Sequence, residues 1–68
     1  GVGDISWKGD EPVVHVHIAA ASHDGKVLMG HLLPGNIADA TVEYVIFEFE
    51  RRILRKYDVA TGLYLMEV

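Results

Sequence analysis

Asp24-Gly25 stands between two runs of alternating apolar residues, and an Asp-Gly pair in that setting is the strongest short-range signal for a β-hairpin. It constrains the whole chain, because the flanking runs, residues 13–21 and 27–33, must then be antiparallel neighbours. Their register matters most, since a slip of one residue turns every side chain of a strand to the opposite face. A two-residue type I′ turn would pair His23 with Lys26 and put His31 opposite Ile18, away from His15 and His17. A three-residue loop over His23-Asp24-Gly25, with Gly25 left-handed as a G1 bulge, would pair Ser22 with Lys26 and set His17 opposite His31.

Hydrophobic segregation selects the second register. It gathers Val14, Val16, Ile18, Ala20, Leu28 and Leu32 on one uniformly apolar face and leaves His15, His17 and His31 with Ala19, Met29 and Leu33 on the other. Opposed residues have Cβ atoms about 4.5–5.5 Å apart and diagonal ones about 7–8 Å, so three imidazoles can reach one ion. Three histidine ligands with an open fourth position make a catalytic type of zinc site. The same spacing also suits a polar, partly solvated sheet face, and spacing alone leaves both readings open. His23 belongs to the turn. Gly30 marks a bulge, a close approach of backbone or ligand, or simple packing room.

Ahead of the hairpin, Ile5 and Trp7 are strand-like but have no lead-in that could start a core. Lys8 to Pro12 is a turn, with Pro12 opening the next strand where a missing N–H does least harm. Pro34-Gly35-Asn36 punctuates the end of the third strand. Residues 41–50 are rich in β-branched and aromatic side chains and are expected to form the longest strand. Val45, Phe47 and Phe49 would lie on one face and Val42, Tyr44, Ile46, Glu48 and Glu50 on the other, both partly buried near its start. Residues 51–57 continue, 58–62 turn, and 63–68 form a final strand. No helix, repeat or linker is evident.

With 68 residues the chain allows a single domain, and one this short buries only about 60% of its unfolded surface. Half of its residues are hydrophobic and it has no cysteine to staple it, so that surface should be buried against something else. The net charge is −4. Arg51, Arg52, Arg55 and Lys56 form the one basic cluster and read as a solvated strand end, which makes nucleic acid a poor default partner. The lack of cysteine suits a reducing compartment. No apolar run approaches the roughly 18 residues of a membrane span, and no signal peptide is visible. A cytoplasmic protein is the expectation.

Taken together, His15-Val16-His17, Asp24-Gly25, Gly30-His31-Leu32-Leu33, Ala40-Thr41-Val42-Glu43 and Asp58-x-x-Thr61-Gly62-Leu63 resemble the PPC domain (DUF296), shared by plants and prokaryotes, and its prokaryotic branch in particular. The resemblance implies a fold similar to acetolactate decarboxylase: α+β, with a mainly antiparallel sheet wrapped around helical elements. It also implies that a His-x-His and one later His, here His15, His17 and His31, hold zinc. The family's domain is longer, and residues 1–68 match its strand-rich C-terminal half, so a partial domain is expected. Plant members precede the domain with an AT-hook, and nothing of that kind appears here.

Function then divides between classes. The first expectation is a binding and assembly module that, as its relatives do, forms a homotrimer, with a possible metal site and a small-molecule ligand at the metal. The alternative is a zinc-dependent hydrolase or lyase acting on a small oxygen-rich substrate, with Glu43 as general acid or base, or as a partner orienting a histidine. A DNA-binding role, the label plant members attract, is the weakest of the three.

Overall fold

The computed structural model describes residues 1–67. Five strands follow one another: β1 (Val2–Lys8), β2 (Glu11–Ala21), β3 (Val27–His31), β4 (Arg55–Asp58) and β5 (Leu63–Met66). The first three form an antiparallel sheet in the order β1-β2-β3, and β4 and β5 form a separate antiparallel pair. The described residues contain no helix, so the antiparallel part of the expected α+β fold is present and its helical part has no counterpart among them. No helix among them is long and apolar enough to cross a membrane.

Two turns set the registers. At Gly9-Asp10 only the first central residue has positive φ, 62° at Gly9, which is the type II′ pattern that matches strand twist. It pairs Lys8 with Glu11 and, further along, Asp4 with His15. At the second turn Gly25 has φ 87° and donates its N–H to the Ser22 carbonyl at 3.0 Å. The Ser22 N–H donates to the Lys26 carbonyl at 2.8 Å. The loop is therefore the three-residue one, and the ladder runs from Ala21↔Val27 to His17↔His31. Gly30 pairs regularly with Ile18 and forms no bulge.

The β4–β5 hairpin turns on Asp58. Its carboxylate accepts the Thr61 N–H at 3.0 Å and the Thr61 hydroxyl at 2.7 Å, and Gly62 closes the turn with φ 71°. The hairpin joins the sheet at the end of β1. There the Trp7 N–H donates to the Ile53 carbonyl at 2.8 Å and Trp7 makes a parallel bridge with Leu54.

Three expectations need correction. Residues 41–50 form no strand. Their composition suits a pleated, half-buried surface rather than dictating an extended ladder, and with no neighbour to pair, Phe47 is 84% exposed. The third strand stops at His31, although the Leu32 N–H still reaches the Val16 carbonyl at 2.9 Å, and the last ends at Met66; its expected final residue, Val68, lies outside the described residues. The apolar face of the hairpin is not buried: Val16 and Ile18 are half-covered, but Leu28 is 77% exposed. A single sheet has no second layer to stack on that face.

No hydrophobic side chain among the described residues is buried. The Cα radius of gyration is 14.9 Å, against about 11 Å for a compact domain of this length.

Candidate metal centre

The hairpin register brings three imidazoles together. His17 and His31 are opposed across β2 and β3, and His15, two residues before His17, shares their face. The ring centroids are 4.8 Å apart for His15 and His17, 5.1 Å for His15 and His31, and 4.5 Å for His17 and His31. One ring nitrogen from each residue lies within 4.8 Å of the others. His15 is half-buried, while His17 and His31 open to solvent.

Behind His15 stands a polar chain of Asp4, Arg55 and Ser6. Asp4, opposite His15 on β1, accepts a hydrogen bond from His15 Nδ1 at 3.2 Å through Oδ2. Its other oxygen, Oδ1, accepts from Arg55 Nη2 at 2.9 Å. Arg55 also donates through Nε to Ser6 Oγ at 2.5 Å and through Nη1 to the Tyr64 carbonyl at 3.0 Å. Its side chain is 13% exposed and Ser6 is fully buried, so the best-covered point among the described residues is polar. Burial of Asp4 works to raise its pKa, but the hydrogen bonds and charges of Arg55 and His15 outweigh it and hold the carboxyl below its ordinary range.

Arg55 is therefore not the solvated strand end expected of the basic cluster. Its neighbours also find partners within the chain: Arg52 lies 3.9 Å over the Trp7 ring and 4.0 Å from Asp10, and Lys56 sits 3.1 Å from Glu67. Glu43 lies in the exposed segment after β3 and is not among the clustered residues. His23 lies at the exposed hairpin tip.

Asp4 had a sequence signal. Gly9-Asp10 between two strand-like runs is a second hairpin turn, and a two-residue loop there places Asp4 opposite His15. Arg55 had none, since it reaches Asp4 from 51 residues away.

The donor set fits a transition metal. With His15 Nδ1–H given to Asp4, the Nε2 lone pair faces the cluster, where His17 Nε2 lies 3.1 Å away. Two nitrogens about 2.0–2.1 Å from a tetrahedral zinc lie roughly 3.3–3.4 Å apart. Imidazole suits zinc, copper, iron or nickel. Bound zinc would supply Lewis acidity, and the open side of His17 and His31 leaves room for a further ligand.

A model of the Plants and Prokaryotes Conserved (PCC) domain matches residues 1–50, the stretch that carries β1, β2, β3 and all three clustered histidines. The Asp58…Thr61-Gly62 turn lies beyond that match. Over 50 residues, 72% of its length, the chain is 42% identical to the bifunctional protein GlmU of Synechococcus sp. (strain JA-3-3Ab), and it spans only 8% of that protein. No solved structure matches the chain.

Proposed function

The chain belongs to the Plants and Prokaryotes Conserved domain family, and from that premise we propose that it is a binding and assembly module that self-associates, as a trimer, and holds zinc on His15, His17 and His31. The convergence of three imidazoles on one sheet face carries the metal half of this reading. The uncovered apolar surface supports the assembly half: with no hydrophobic side chain buried among the described residues, the main driving force of folding is left unused until another surface covers them.

The ion pairs of Arg52, Arg55 and Lys56 support leaving DNA aside, since cations held by Asp10, Asp4 and Glu67 are less free to neutralise phosphates. Light scattering tests the assembly. A mass three times that of the chain is expected, and a monomer at micromolar concentration would contradict it. Elemental analysis of the purified protein tests the metal, with one zinc per chain expected and no stoichiometric metal the contrary result.

A further inference from the structure

We propose that Asp4 is a positioning residue of the three-histidine centre: clamped by Arg55, its carboxylate accepts the His15 Nδ1–H and so presents Nε2 as the metal-binding nitrogen. This rests on the metal reading given above.

An imidazole can bind a metal through either nitrogen, and the hydrogen bond made by the other decides which one is free. His15 points Nδ1 at Asp4 Oδ2 and Nε2 at His17 Nε2, at 3.2 and 3.1 Å. Only one neutral tautomer satisfies both contacts. Nδ1 carries the proton and donates to Asp4, and Nε2 accepts from His17 Nε2–H, so the lone pair of His15 already faces the cluster.

Asp4 is itself held. Arg55 donates to its second oxygen at 2.9 Å while bonding Ser6 and the Tyr64 carbonyl, so the carboxylate is clamped between β1 and the β4–β5 hairpin. Neither His17 nor His31 has a carboxylate partner among the hydrogen bonds of the described residues. His15 is thus the oriented ligand around which the two exposed ones close. The β4–β5 hairpin, with none of the three ligands, is tied to the centre through the Arg55 guanidinium.

The test uses the full chain labelled with 15N and stripped of metal. Imidazole 15N shifts at neutral pH report the His15 tautomer, and zinc titration reports affinity, for the parent, Asp4→Asn and Asp4→Ala. The parent should show His15 as the Nδ1–H form. Asp4→Ala should lose that preference and bind zinc about 10–100-fold more weakly. Asp4→Asn, a neutral acceptor of the same shape, should fall between them, and it carries the comparison if Asp4→Ala does not fold. An Nε2–H tautomer in the parent, or a folded variant binding zinc as tightly as the parent, overturns the proposal. If the parent itself takes up no zinc, the metal reading falls, and the tautomer alone then decides for or against Asp4 as the group that orients His15.

Discussion

His17 on β2 and His31 on β3 are directly opposed, with ring centroids 4.5 Å apart. That opposition depends on a residue eight positions after His17 and six before His31. Gly25, at φ 87°, absorbs the extra residue of the loop, and without it the strands would pair one residue out of step.

Gly25→Ala should therefore destabilise the protein by about 1 kcal/mol or more, because a Cβ is penalised at positive φ. A Cβ there meets nothing within 4 Å, so the cost is backbone strain alone. Denaturant unfolding measures it, and an unchanged midpoint would contradict the left-handed assignment.

Gly3 and Gly30 should behave in opposite ways. A Cβ on Gly3 would collide with the His15 carbonyl oxygen and lie 2.8 Å from Val16 Cα, so Gly3→Ala must push β1 away from β2 and disturb His15. A Cβ on Gly30 meets nothing within 4 Å, and Gly30→Ala should leave stability within about 0.5 kcal/mol or raise it. Equal effects on unfolding midpoints would show that the β1–β2 approach is looser than described.

Arg55→Ala removes the donor to Asp4, Ser6 and the Tyr64 carbonyl together. Leaving a buried hydroxyl and a partly covered carboxylate without that partner should cost about 2 kcal/mol or more. Amide exchange should quicken first in β4 and β5. Arg52→Ala, at an exposed cation, should cost much less.

Asp24 offers a pH test at the hairpin tip. The Ser22 hydroxyl bond lowers its pKa below the ordinary 3.8, with the Lys26 backbone N–H helping and slight burial opposing. A depressed folded pKa means that its contribution to stability is present above 3.8 and is lost as pH falls through the folded value. NMR titration of the carboxyl should place it below 3.8, and Ser22→Ala should move it back up. No movement would remove Ser22 as the cause.

The site was legible where chemistry is local and closed where it is not. Asp24-Gly25 and the alternation around it were enough to predict His17 opposite His31, because a turn and two strands share one stretch of chain. Gly9-Asp10 offers the same logic for Asp4, because a turn there with two central residues fixes the partner of every β1 residue on β2. Arg55 could not be foreseen, since its contact with β1 spans most of the chain. Residues 41–50 misled for a physical reason: their side chains suit a sheet, and a sheet also requires a partner strand that the described residues do not provide.

Zinc titration of the parent, His17→Ala and His23→Ala, above neutral pH so that protons do not compete for the imidazoles, tests the centre most directly. His17 directly opposes His31 and its ring lies 4.8 Å from that of His15, while His23 sits at the far tip of the same hairpin. The parent and His23→Ala should bind zinc alike, and His17→Ala should lose the site. A parent that binds no zinc, or a loss at His23→Ala equal to that at His17→Ala, would make the histidine face a polar surface and nothing more.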